Sequence, residues 1–168
     1  MTAPDRPQIT LRAPVAGDLG WVVQQHGESY AREYGWDWSF EAQVAGIAAD
    51  FIRNFRPDCE RGWIAESAGP DARERVGAVF VVRHSPGVAQ LRMLIVTPAT
   101  RGLGLGARLT DECLAFARAK GYQKMVLSTH SCLLPARALY QRRGFALVAS
   151  APHPGYGCAL LSESWELA

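Results

Sequence analysis

The chain has little charge of either sign in excess. Its 18 Lys and Arg stand against 16 Asp and Glu, a formal net charge of +2. That balance argues against the basic field that holds a protein on nucleic acid. The nearest basic cluster, Arg137 with Arg142 and Arg143, reads as one solvated helix face. No apolar run is long enough to cross a bilayer, and no secretory leader is recognisable. The four cysteines, Cys59, Cys113, Cys132 and Cys158, are scattered, with no CxxC pair and no Cys/His spacing suited to zinc. Together these absences point to a reduced, cytoplasmic protein with no metal, no membrane partner and no nucleic acid. Internal repeats, low-complexity tracts and interdomain linkers are also missing. Residues 1–168 therefore read as one domain, with 1–7 loose. At 48% hydrophobic and 20% charged, the chain has the composition of a globular domain with a sizeable core.

What is present is a regular succession of short elements. "QITLR" alternates as an opening strand. Asp18 can cap a helix over Leu19–Glu33, with Gly27 weakening it. Ser39 can cap a second helix, "FEAQVAGIAADFIRNF", whose Val44, Ile47, Phe51 and Phe55 form a buried stripe. "GWIAES", "VGAVFVVRH" and "VAQLRMLIV" read as an antiparallel meander joined by glycine- and proline-bearing turns. A helix follows with Leu105, Leu109, Cys113 and Phe116 inward, ending near Gly121. "KMVLST" is a strand, "PARALYQRR" a short helix, and "FALVAS" and "CALLSESWEL" the last strands. Antiparallel strands first and a β-α-β-α-β run afterwards predict a mixed α/β sheet rather than a doubly wound one.

Between the third strand of the meander and the next helix lies "RGLGLGA". Three glycines at alternate positions, Gly102, Gly104 and Gly106, leave bare backbone where a helix begins. Converging N–H groups and the helix dipole suit a phosphate or pyrophosphate there. A P-loop would need Gly-Lys-Ser/Thr, but Gly106 is followed by Ala107 and Arg108. The dinucleotide fingerprint is formally met by "GLGLGA", yet no acid for a ribose stands about 20 residues on, where the chain reads "KMVLSTH".

"VTPATRGLGLGARL" resembles the acyl-CoA loop of the GNAT superfamily of N-acetyltransferases. Arg101, Gly104 and Gly106 meet its R/Q-x-x-G-x-G/A pattern after the lead-in Val96–Pro98. "ALYQRRGF" is similar to the superfamily's later motif, a tyrosine four residues before a Gly-Phe pair: Tyr140, Gly144, Phe145. The two occur in the superfamily's order, with a helix and a strand between. Over Arg75–Ala149 the likeness is specific. "HGESYAREYGWD" and "HPGYG…SWEL" also resemble the acetyltransferase half of fusions with MarR-type transcription regulators.

The resemblance implies the GNAT fold, a mostly antiparallel sheet with flanking helices and a splay at the acyl-CoA site. It implies acetyl-CoA as co-substrate, with Arg101, Gly102, Leu103, Gly104, Leu105, Gly106 and Ala107 holding the pyrophosphate. Backbone groups around Leu94 and Val96 would pair with the pantetheine arm as a pseudo-strand. One N–H of that strand would steady the thioester oxygen. Acetyl would pass to a primary amine by direct attack, so no protein nucleophile is needed, and Tyr140 would protonate the departing thiolate. Enzymes acting on protein N-termini usually carry a glutamate at the position held here by Ser128. They also often carry an asparagine where Leu133 stands. A small-molecule amine is therefore the expected partner, and nothing opposes a homodimer. The base stays open among His130, Glu33, Glu28 and Asp37. His130 ends a strand aimed at the cleft, and Glu33 lies beside Tyr34 and Trp36, the residues expected to cap the acceptor pocket. Two other readings stand beside this one: an acyl-CoA-binding regulatory module without turnover, and a protein lysine or N-terminal acetyltransferase.

Overall fold

Alternating and continuous apolar runs account for the seven strands and four α-helices of the described residues. The computed structural model describes residues 6–168. In chain order these are β1 (Ile9–Arg12), α1 (Asp18–Tyr34), α2 (Trp38–Asn54), β2 (Arg61–Ala68), β3 (Arg73–Ser85), β4 (Val88–Val96), α3 (Leu105–Ala119), β5 (Lys124–His130), α4 (Leu134–Arg142), β6 (Ala146–His153) and β7 (Leu160–Leu167). The strands form one sheet in the order β1-β2-β3-β4-β5-β7-β6. Every neighbouring pair is antiparallel except β4 and β5. A parallel pair cannot be joined by a tight turn, and α3 makes the crossover. The predicted mixed sheet is the one observed; of the segment expected to be loose, residues 1–5 lie outside the described residues.

Each sheet face carries its own core. On one face Leu105, Leu109, Cys113 and Phe116 of α3 and Leu139 and Tyr140 of α4 pack on Val79, Val81, Leu91, Leu127 and Trp165. On the other, Leu19 and Val22 of α1 and Val44, Ala48 and Phe51 of α2 pack on Ile64, Ala78, Phe80, Met93 and Ile95. The second pair of helices covers β2 to β4 and leaves the β5, β7 and β6 end of that face open. Ser128 and Ser164, paired across β5 and β7, lie exposed there.

Four local expectations are corrected. Asp18 does not cap α1. Gly17, in the left-handed region at φ 96°, takes the cap position, and Asp18 is the first helical residue. Its buried carboxylate accepts from the Val15 N–H at 2.7 Å and pairs with Arg12 at 2.6 Å and Arg75 at 3.3 Å. Ser39 does not cap α2 either; Asp37 does, accepting from the Ser39 N–H at 2.9 Å. Phe55 falls one residue beyond α2, where the chain turns extended, and is exposed rather than part of the stripe. Arg137 leaves the solvated face expected for it. It pairs with buried Glu163 at 3.0 Å and lies over the Trp165 ring.

Candidate active site

The site begins with one extra residue in β4. Ala78 pairs with Ile95 but Phe80 with Arg92, so β4 spends one residue more than β3 across this step. Met93 sits at φ 52°, the one non-glycine with positive φ among the described residues. Such a bulge reverses the inside-outside alternation of a strand. Ala89 and Leu91 face α3, whereas Met93 and Ile95 join the core under α1 and α2. The bulge also bends β4 away from β5. The two pair only from Val88 to Gln90 against Lys124 to Val126. Beyond Gln90 the β5-facing peptide groups of β4, including those around Leu94 and Val96, have no strand partner.

Above this opening the chain turns through a short 3₁₀ segment, Pro98–Thr100, into the glycine loop. Gly102 and Gly104 both take φ 78°, a conformation that L side chains rarely adopt. The first helical bond of α3 runs from the Arg108 N–H to the Gly104 carbonyl at 3.0 Å. No acceptor is recorded, among the described residues, for the N–H groups of Gly102 through Ala107. These are the orphan donors of a helix start, extended by two residues of loop, and they suit an anion. Leu105 is buried and anchors the turn to the core, while Leu103 is exposed. The Arg101 guanidinium turns aside and pairs with Glu33 at 2.6 Å. The loop therefore offers its backbone to a ligand, and its arginine ties it to the end of α1.

A cavity of about 350 Å³ lies where β4 and β5 part. Tyr140, from α4, lines it and is 6% exposed. Burial pushes the phenol well above its usual range, so it remains protonated. Its hydroxyl has no recorded protein partner. His130, at the end of β5, lines the same cavity, and its Nδ1 is buried without a partner. Burial and the neighbouring His153, at 5.2 Å between ring centres, hold the His130 pKa below the ordinary value. His153 accepts from the Gly155 N–H at 2.8 Å through Nδ1, leaving its proton on Nε2.

The acceptor end is walled by aromatic rings. Trp36 packs on Tyr30 and Tyr156, each at 5.0 Å between centres, and on Phe40 at 4.8 Å. Trp36 lines the cavity as expected from sequence, but Tyr34 stands behind it at 5.7 Å and does not. Of the four candidate bases only His130 borders the cavity. Glu33 is bound to Arg101, Glu28 accepts from Gln24 on the surface of α1, and Asp37 caps α2. Among the described residues no carboxylate lines the cavity.

Several lining residues escaped the sequence reading. His26 donates from Nδ1 to the Val22 carbonyl at 2.7 Å, and burial lowers its pKa to about 4. His153 ends β6 and Tyr156 lies in the β6–β7 turn, far along the chain from Trp36. Arg92 projects into the cavity from β4, on the same strand face as Gln90. Only the fragments "HGESY" and "HPGYG" pointed toward any of these, and they gave no contact.

Comparison with known proteins agrees with this geometry. The family described as acetyltransferase (GNAT) matches residues 23–145. An uncharacterized N-acetyltransferase of Schizosaccharomyces pombe is 34% identical over 129 residues, 76% of this chain and 74% of that protein. Further curated relatives are matched over only 45% and 27% of their own length, so the chain spans less than half of each. Among solved structures, yncA of Salmonella typhimurium with its cofactor acetyl-CoA superposes with a TM-score of 0.69 at 19% identity, covering 95% of this chain and 92% of that one. A spermidine N-acetyltransferase of Vibrio cholerae in complex with CoA and spermine gives 0.68 at 18% identity, covering 95% of each chain. The splayed β4–β5 pair, the glycine loop at its mouth and this match over most of the sequence place the chain in the acetyltransferase (GNAT) family.

Proposed function

We propose that the chain transfers acetyl from acetyl-CoA to a primary amine of a small molecule. The observation that carries this reading is the set of N–H groups from Gly102 to Ala107 without acceptors, at the mouth of a cavity lined by Tyr140. These donors fit a diphosphate. The partnerless edge of β4 past the bulge fits the amides of a pantetheine arm, as an added strand would. When bound, acetyl-CoA supplies a thioester carbon to which the amine nitrogen bonds as the carbon–sulfur bond breaks.

The chain's own residues then have two proton tasks. Tyr140 donates its phenolic proton to the departing sulfur, whose thiol pKa is ordinarily ~8.5. His130 takes a proton from the incoming amine, directly or through water. Its lowered pKa keeps it neutral near pH 7, ready to accept. A β4 N–H beside the bulge would face the thioester oxygen as it gains charge. The aromatic wall at Trp36, Phe40 and Tyr156 closes the acceptor end, which favours a small amine over a peptide lying in an open groove.

The narrower likeness to MarR-type fusions rests on sequence fragments alone and adds nothing to this reading. The test is thiol release from acetyl-CoA across a panel of primary amines, with acetyl-CoA binding followed by calorimetry. Binding with turnover on at least one amine is expected. Binding with no turnover on any amine would instead favour a regulatory acyl-CoA module, and no binding at all would remove both readings.

A further inference from the structure

Arg92 lines the acceptor cavity, and no acid among the described residues pairs with it. Its guanidinium makes no ion pair or hydrogen bond among those recorded for the described residues. Asp50 of α2 is the acid whose charge it senses, but it stands beyond the 4.0 Å reach of a salt bridge. Arg92 is half-buried, and that burial costs its charged form. The lining also carries two neutral amides, Gln43 of α2 and Gln90 of β4. Alternation along β4 decides this placement: Leu91 faces α3, so Gln90 and Arg92 face the cavity. Arg92 precedes the step and Met93 follows it, so a cation and a core methionine lie consecutively toward α2.

We propose that Arg92 is a specificity determinant that binds a carboxylate carried by the acceptor, so that the substrate is an amine that is also an acid. This inference rests on the acetyl-transfer reading and names its substrate class. Charge separates it from the other main type of amine. A polyamine carries several ammonium groups and needs carboxylates to hold them, as any buried cation does. Among the described residues no carboxylate lines the cavity, whereas a guanidinium does. The spermidine enzyme among the structural neighbours thus shares the fold with this chain without implying the same acceptor. A carboxylate on the acceptor would instead give the guanidinium its missing partner in a two-pronged pair.

The same cation also acts on the reacting nitrogen. A positive charge nearby disfavours an ammonium ion and lowers its pKa. Less is then asked of His130, whose own basicity is reduced by burial. The absence of a glutamate base from the cavity is consistent with an acceptor deprotonated in this way.

The experiment compares three forms of each acceptor: L-phenylalanine and L-methionine, their primary amides, and the corresponding amines without the carboxylate. Each is assayed for thiol release and, separately, for binding to the CoA-loaded protein by calorimetry. For wild type we expect the acids to be preferred by about 10- to 10²-fold in kcat/KM, the scale of a hydrogen-bonded charge. Arg92→Met should abolish that preference, chiefly through KM, with a smaller loss on the neutral amines, whose reacting nitrogen also loses the nearby cation, and Arg92→Lys should restore part of both. Equal use of acids and amides by wild type would overturn the proposal, as would equal loss on all three forms in Arg92→Met. The binding arm separates the two readings. Arg92-dependent binding of the acids without turnover would sink acetyl transfer and leave the carboxylate site standing, whereas turnover confined to carboxylate-free amines would do the reverse.

Discussion

Replacing Tyr140 with phenylalanine removes one oxygen and little else. The hydroxyl makes no hydrogen bond to any of the described residues, so none of them is orphaned by its loss. The ring keeps its place in the core beside Phe145, 5.8 Å away between centres. The change in folding stability should therefore be under about 1 kcal/mol. The effect on turnover should be larger. General acid catalysis is typically worth 10²–10⁴-fold, and a thiolate of pKa ~8.5 can leave without help better than an alkoxide. That places the loss near the low end, ~10²-fold in kcat or about 2.7 kcal/mol. Because burial raises the phenol's pKa, deprotonation of Tyr140 should not cut kcat at any pH up to about 10. The assay is thiol release at saturating acetyl-CoA with the best acceptor of the panel, alongside single-turnover kinetics and a thermal melt. The KM for acetyl-CoA should not move. A kcat within threefold of wild type, with the chemical step shown to limit turnover, would refute the assignment.

Other outcomes follow from local geometry. Gly104→Ala forces a side chain into φ 78° and should cost about 1–2 kcal/mol in the loop. It should weaken acetyl-CoA binding by roughly tenfold in calorimetry. Gly106→Ala should be tolerated, since its Cβ would meet Leu139 at 3.6 Å, an ordinary contact, and alanine favours the helix by roughly 0.5–1 kcal/mol. His26 refuses a proton when folded until about pH 4, whereas an unfolded histidine takes one near 6.5. The unfolded chain binds more protons between those values, so stability falls with acidification across that window, by roughly 3 kcal/mol in all. His26→Gln should flatten that part of the profile in urea titrations, and an unchanged slope would count against the buried neutral imidazole. Asp18→Ala leaves Arg12 and Arg75 facing an empty buried position. The arginines are themselves partly exposed, so denaturant melts should show a loss of about 2–3 kcal/mol, below that of a fully enclosed pair.

Some of this protein is written in short stretches of chain. The helices α3 and α4 follow from apolar spacing, the strands of the meander from alternation, and the glycine loop from three residues that need no side chain. Tyr140 is identified by its distance from Gly144 and Phe145. In each case the physics acts within a few residues, through backbone dihedrals, helical periodicity or a turn, and can be read without knowing what lies opposite. The acceptor cavity is different in kind. Trp36, His130 and Tyr156 come from three distant segments and meet only because β5 and β7 pair while α1 and α2 cover β2 to β4 alone. Glu33 looks like a base in sequence and proves to be engaged by Arg101, a partner set by where the loop folds over α1. Arg92 sits in "VAQLRMLIV", a strand whose alternation gives no hint of a bulge. Only the register against β3, which inserts one residue of β4 between two fixed pairings, turns Met93 to the same face as that arginine and into the core beneath α1 and α2.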